Sequence, residues 1–260
     1  MRQNPLLIAI ITALITWCGS YILVRWQVSQ TRDDAALNDR IDNHVDAKLQ
    51  RITEDIAKLR EDVAYLKARV EGATTKKIIE FSKMPEREIL ARLPEISGTI
   101  NAAYANKVIA PTEAVVELRK KLAQVKARNP DFWVAVSSVV NYQSLVAEKM
   151  NLFQNAEEVR KTACKFISVQ PGAEISGIVE NLTLIGCGQQ LDIGVEWKNV
   201  KFENAIIIYS GGPLRLENVT FKNCLFLTEF PKQPAPQTQK FGQALLASTG
   251  SLPNFTISTG

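Results

Sequence analysis

Between Arg2 and Arg25 the chain carries no charge, and Leu6 to Val24 reads LLIAIITALITWCGSYILV, apolar apart from two threonines and a Gly-Ser pair. As a helix rising 1.5 Å per residue, the run measures about 28 Å, close to the roughly 30 Å of a bilayer's hydrocarbon core. Tyr21 and Trp26 fall at one interface, with Arg25 anchoring the same end. Ile15-Thr16-Trp17-Cys18 lacks the small residues that a signal peptidase or a lipoprotein signal requires, so the segment is expected to be retained. The pattern predicts a transmembrane helix over 1–27. Arg25, Arg32 and Arg40 follow it against Arg2 alone before it, which places the bulk of the chain on the cytoplasmic side.

A charged segment follows, and its apolar positions are regular. From Leu49 the steps alternate three and four through Ile52, Ile56, Leu59, Val63, Leu66 and Val70. Leu37, Ile41 and Val45 precede them in steps of four, which reads as a stutter. Leu49, Ile56, Val63 and Val70 take heptad position a, and Ile52, Leu59 and Leu66 take d. Beta-branched residues at a with leucine at d favour a parallel two-stranded coiled coil. Asp55 at g would face Arg60 of a second copy, and Asp62 its Lys67, each exposed pair contributing about 0.3 kcal/mol. The pattern predicts a coiled-coil stalk over 28–72 that makes a parallel homodimer. An amphipathic helix folded back on its own domain remains the alternative. His44, the single histidine, lies off the seam and reads as solvated.

Residues 73–160 keep a helical period with clear punctuation. Pro85 followed by Glu86 and Glu88 starts a helix whose apolar side is Ile89, Leu90, Leu93 and Ile96, with Pro94 kinking or interrupting it. Pro111-Thr112-Glu113 opens a second, with Val115, Val116, Leu118, Leu122 and Val125 inward. Asn129-Pro130-Asp131 opens a third, carrying Phe132, Trp133, Val136, Val139, Val140, Tyr142 and Leu145 at helical spacing. Arg119, Lys120, Lys121, Lys126 and Arg128 read as a solvated face or as a contact for anionic headgroups.

The most informative pattern lies in 175–230. ENLTLIGC (180–187), KNVKFENA (198–205) and ENVTFKNC (217–224) align, with Asn181, Asn199 and Asn218 spaced by 18 and then 19 residues. Each segment alternates as a strand does and closes on a residue tolerant of positive φ. Strand-like pieces at Leu191–Ile193, Ile206–Tyr209, Leu214–Leu216 and Leu225–Leu227 fill the intervals. Stacked repeats would bring Leu182, Val200 and Val219 into one inward column and Leu184, Phe202 and Phe221 into another. The matched asparagines would form an amide ladder. This pattern resembles the right-handed parallel β-helix of the pectin-lyase-like superfamily. The stretch from Trp197 to Phe226 is also similar to short solenoids at the C-termini of uncharacterised bacterial membrane proteins. That resemblance implies a shape and an inner-membrane address, not a reaction. The helix around Met150 to Lys161 is expected to cap the solenoid. The Pro/Gln/Ser-rich tail 231–260 is expected to be mostly disordered, apart from one helical turn or two over Phe241 to Ala247 that caps the far side.

Composition narrows the chemistry. Lys and Arg number 31 against 27 Asp and Glu, a net +4 too diffuse to argue for nucleic acid. One histidine leaves nothing for a histidine triad or a multi-histidine metal site. Cys164, Cys187 and Cys224 show no framework spacing and read as reduced thiols. Cys187 and Cys224, two repeats apart, would lie nearly 10 Å from each other, beyond disulfide reach, and read as small buried hydrophobes. Asp192, Glu196, Glu203 and Glu217 match no catalytic motif, and Glu180, Lys198 and Glu217 form a charge-compensated column. The sequons at Asn181, Asn218 and Asn254 are accounted for by turn chemistry and strand preference.

The expected architecture is therefore α plus β-solenoid: a transmembrane helix (1–27), a coiled coil (28–72), a small helical region (73–160), a short right-handed parallel β-helix (161–230) and a tail. The expected protein is a single-pass protein of the bacterial inner membrane, its C-terminal bulk cytoplasmic. It would act as a non-enzymatic, oligomeric scaffold touching the lipid bilayer, a second copy and an unknown protein. No catalytic, cofactor-binding or metal residue is named. The alternative is a carbohydrate-binding or carbohydrate-modifying β-helix exposed outside the cytoplasm.

Overall fold

The computed structural model describes residues 13, 15–23, 35–126, 129–164 and 174–259, leaving aside the side chains of 35–43. The chain divides into two compact units, Met1–Tyr65 and Leu66–Gly260.

Residues 13 and 15–23 are helical and belong to the first helix of the chain, α1. Among the described residues no helix is long and apolar enough to cross a membrane. The transmembrane helix expected over 1–27 is thereby corrected, and the single-pass, inner-membrane and cytoplasmic-face readings go with it. The remainder of the apolar run, residues 6–12, 14 and 24, lies outside the described residues. Helix α2 (Ala35–Lys83) is long enough but strewn with charge.

The second unit begins within α2 and continues in short helices punctuated as their prolines dictate. α3 (Glu86–Ala91) starts after Pro85, with Glu86 and Glu88 in its first turn. Pro94 falls in the first turn of α4 (Leu93–Asn106), so it starts a helix where a kink was the other option. α5 (Thr112–Gln124) follows Pro111. α6 (Pro130–Lys149) is capped by Asn129, whose Oδ1 accepts the Phe132 N–H at 2.9 Å. α7 (Ala156–Lys161) completes the helical part.

Nine short strands come next: β1 (Gly177–Glu180), β2 (Thr183–Ile185), β3 (Gly188–Gln190), β4 (Val195–Lys198), β5 (Lys201–Glu203), β6 (Ile206–Tyr209), β7 (Arg215–Glu217), β8 (Val219–Lys222) and β9 (Leu225–Thr228). They pair in parallel as β1-β4-β7, β2-β5-β8 and β3-β6-β9, with Gly177 opposite Val195 and Glu196 opposite Arg215. The 18- and 19-residue offsets of the sequence are thus the strand registers. Val200, Val219, Phe202 and Phe221 point inward and are buried, and the rings of Phe202 and Phe221 stack at 5.2 Å.

The expected closed solenoid is corrected as well. The strands form three small, mostly parallel sheets that do not close into one. Helices and a strand of the tail complete them instead. α6 runs beside β9: Ser144 Oγ accepts from Phe226 N (2.8 Å), Asn141 Oδ1 from Thr228 N (2.6 Å) and Ser137 Oγ from Phe230 N (2.7 Å). The interior is shared, since Trp133 of α6 and Phe241 of the tail belong to the same apolar cluster as Trp197, Phe202 and Phe226. The sheets therefore have no core of their own.

The tail expected to be mostly disordered is built into this core. α8 (Pro236–Ala247) buries Phe241, Leu245 and Leu246, and β10 (Phe255–Ile257) pairs antiparallel with β8. Thr259 takes the edge of β7, its Oγ1 accepting from Leu216 N at 2.9 Å. Asn254 Oδ1 and Ser258 Oγ accept the N–H groups of Asn223 and Asn218, the corner donors that the last repeat would otherwise leave unpaired. α7 lies against β3 and β6, with Val159 packed beside Ile206 and Leu225, and the residues just after it take the free edge of β3, Thr162 O accepting from Gly188 N at 2.8 Å.

Cys164 and Cys187 form a disulfide with Cα atoms 5.1 Å apart. The expectation of reduced thiols is corrected on this point. The repeats offered Cys187 only the distant Cys224, whereas Ala163 bridges to Gly188 and brings Cys164 alongside. Cys224 remains a buried free thiol, and burial pushes its pKa up to about 12.

Candidate functional site

Three features were candidates for chemistry. The acidic residues come first. Asp192 is buried, but it accepts from Gly212 N (2.8 Å), Ser210 N (3.2 Å) and the Gln190 side chain, so it holds the following turn together. Glu196 pairs with Arg215 at 3.5 Å and Lys198 with Glu217 at 3.1 Å. Glu203 lies between Lys201 (2.5 Å) and Lys222 (3.5 Å), and the Lys201 hydrogen bond holds its carboxyl below the usual range. Every carboxylate in this group has a structural or ionic partner. Among the described residues no group of His, Cys, Asp and Glu could hold a metal ion.

The basic face expected on α5 is divided. Arg119 is completely buried, donating to Gln143 Oε1 (3.1 Å), Ser248 O (2.5 Å) and Gly250 O (3.2 Å). Burial lowers its pKa to about 10, so it stays charged at neutral pH. It ties the end of α8 to α5 and has no surface role. Lys120 and Lys126 are exposed, Lys120 being paired with Glu117 at 2.6 Å, and Arg128 lies outside the described residues. His44 is exposed.

The heptad positions are the third feature. On α2 the residues Leu59 and Val63 are 60% and 63% exposed, and Leu66 and Val70 are 57% and 56% exposed. Leu49 and Ile52 are exposed as well, and Ile56 is half-buried. Branched apolar side chains repeating on one face of a charged helix, all but Ile56 exposed on a single chain, are a surface made to be covered.

Sequence reading missed one further feature. A cavity of about 460 Å³ opens between the α6–α7 connection and the second corner of the repeats. Leu152, Phe153, Val159, Ile185 and Leu252 give it an apolar floor, and Gln154, Asn155, Asn204 and Asn223 give it a polar rim. The corner residues Gly186, Asn204 and Asn223 all have positive φ, at 64°, 50° and 52°. The signal was present in the glycine or asparagine that closes each repeat, Gly186, Asn204 and Asn223, but only the fold brings the α6–α7 connection to it.

Neither the family models, nor the curated proteins, nor the solved structures contain a match to this chain. The functional reading therefore rests on geometry.

Proposed function

We propose that this protein is a non-enzymatic oligomeric scaffold whose copies pair in parallel along α2, with the α/β unit offering the surfaces that partners bind. The observation that carries this is the exposure of Leu59, Val63, Leu66 and Val70 on one heptad face. Burying such a seam removes several branched side chains from water, each worth about 1.5–3 kcal/mol when fully covered. The beta-branched residues at a and the leucines at d favour two parallel strands. The engaged carboxylates support a role without catalysis.

Sedimentation equilibrium of the full chain tests the reading. It expects a dimer mass, and a monomer mass for the double variant Leu59→Asp, Leu66→Asp. A cysteine placed by Leu66→Cys should form a symmetric cross-link between copies, because parallel strands put each d residue beside its own equivalent. A monomeric parent chain, or a dimer untouched by the two aspartates, would overturn it.

A further inference from the structure

The last repeat is closed in a different way from the two before it. At the first corner Asn181 N donates to Lys198 O at 3.0 Å and Asn199 N to Glu217 O at 2.9 Å, each the main chain of the following repeat. The same donor on Asn218 meets the side chain of Ser258 at 2.8 Å. At the second corner Gly186 N donates to Glu203 O and Asn204 N to Lys222 O, both at 3.0 Å. There Asn223 N meets the side chain of Asn254 at 2.9 Å. On β7, Leu216 N donates to Thr259 Oγ1 at 2.9 Å. The C-terminal segment thus stands in for a fourth repeat, offering side-chain oxygens at corners where a repeat offers carbonyls. It also runs antiparallel on a sheet whose other pairings are parallel.

This segment is clasped separately at its base. Arg119 donates to Ser248 O and Gly250 O, and Gln143 to Ser251 O. The clasp buries a cation on neutral acceptors, and Arg119 Nε has no acceptor among the described residues. Returning that guanidinium to water offsets part of what opening the clasp loses. Beyond the clasp, β10 is three residues long, and Phe255 and Ile257 hold it to the apolar core. Beneath it lie the edges of β7 and β8, and strand edges of this kind accept a further strand.

We infer that residues 248–259 form a strap that opens as a unit while the repeats stay folded, and that the β7–β8 edge then takes the same strap from a second copy. The edge itself selects this occupant. Asn254, Ser258 and Thr259 supply an acceptor for each of three edge donors, and every copy carries that spacing. The inference rests on the scaffold reading, because pairing along α2 tethers two copies and raises the concentration of each strap at the other's edge. Extended, the strap reaches up to about 40 Å.

The test uses Thr220 and Thr256, register partners on β8 and β10 whose hydroxyls lie 2.8 Å apart. Two full chains are co-expressed in a Cys18→Ser background, one carrying Thr220→Cys and the other Thr256→Cys, and equilibrated in a glutathione redox buffer. A disulfide joining positions 220 and 256 can then form only between chains, and peptide mapping by mass spectrometry identifies it. One chain carrying both substitutions is the reference for the strap at home. Expected are the link in the reference chain, the same link between the co-expressed chains, and its loss when both also carry Leu59→Asp and Leu66→Asp. In the unsubstituted protein, amide exchange at Phe255 to Ile257 should run roughly tenfold or more faster than in β5 and stay flat in low urea, as local opening requires. A link confined to the reference chain, in a parent that sediments as a dimer, overturns this inference and leaves the scaffold reading standing. A monomeric parent overturns both. Exchange at Phe255 to Ile257 that follows β5 in rate and urea dependence, or a reference chain without the link, also overturns the inference.

Discussion

Asn218 donates its side-chain amide to the Oδ1 of Asn199 at 2.9 Å, and Asn199 donates in turn to Asn181 at 3.1 Å. All three hold φ near 50–57°, a region that costs most other side chains about 1 kcal/mol or more. Asparagine therefore does two things at this corner. It tolerates the turn, and it links each repeat to the next.

The middle residue of the ladder should be the most sensitive. Asn199→Ala loses both amide bonds and places an alanine at φ 51°, so it should destabilise by about 1–2 kcal/mol. Asn199→Gly loses the bonds but keeps the conformation and should fall below about 1 kcal/mol. Urea denaturation of the two variants measures the difference. Equal losses would show that the backbone conformation is not what the site selects.

Gly242 sets a limit of a different kind. It lies on α8 where a Cβ would fall 2.7 Å from Trp133 Cζ3 and 3.3 Å from Phe230 Cζ. Trp133 is itself packed edge-on against Phe132 with centroids 5.0 Å apart, so the ring has little room to yield. Gly242→Ala should destabilise by about 1–3 kcal/mol through overpacking, despite the better helix propensity of alanine. A thermal melt reads it as a lowered midpoint.

How much of this was legible in the chain depends on the range of each signal. The strand registers were, because Asn181, Asn199 and Asn218 carry the 18- and 19-residue offsets directly. The helix starts at Pro85, Pro111 and Asn129 were legible for the same local reason. What escaped was contact between segments far apart. Ser137, Asn141 and Ser144 look like ordinary polar residues of α6 until β9 lies beside them. Asn254 and Ser258 look like linker composition until they cap Asn223 and Asn218. The apolar run at the start was misread for another reason. Length and hydropathy describe a segment's preference, whereas among the described residues no helix is long and apolar enough to cross a membrane.

The disulfide should be measurable by chemistry and by stability. Cys164 and Cys187 are 23 residues apart, and closing a loop of that size in the unfolded chain is worth about 3 kcal/mol in the chain-entropy account. The paired variant Cys164→Ser, Cys187→Ser should lose about that much. In the native protein a maleimide should modify Cys18, which is exposed, and not Cys224, which is buried. Unfolding without reductant should then release one further thiol, and reductant two more. Four reactive thiols without reductant would show the bridge to be absent.

Arg119 should tolerate no shortening. Its guanidinium reaches Ser248 O and Gly250 O, the two carbonyls that follow α8, and Gln143 continues the attachment to Ser251 O at 2.6 Å. Arg119→Met keeps much of the buried volume but leaves these acceptors without their donor, at about 1–3 kcal/mol for each group stranded in the interior. Because β10 follows this attachment, its loss should be read locally. Amide hydrogen exchange at Phe255 to Ile257 should quicken in the variant while exchange in β5 holds. Uniform acceleration would mean that the arginine supports the whole core and not the C-terminal strand.

The ion pairs around Arg92 make an acid-range prediction with a definite sign. Hydrogen bonds from Arg92 and then Lys77 hold the Glu95 carboxyl down from 4.5 to about 2, with Arg92 Nε at 2.8 Å and Lys77 Nζ at 3.2 Å. The folded carboxyl binds its proton less readily than the unfolded one, so the unfolded state carries more protons between the two values. The stabilisation from Glu95 is therefore fully present above about pH 4.5 and drains away as the pH falls towards 2. Glu95→Gln should flatten the fall of the melting temperature across that window and lower the melting temperature at neutral pH. Because these side chains are exposed, added salt should shrink the effect in the parent protein and leave the variant unmoved. A parent and a variant that lose stability in parallel from pH 5 to pH 2 would place the acid sensitivity on other carboxylates, with the paired Glu148 and Glu203 next in line, since both are likewise held below their ordinary range.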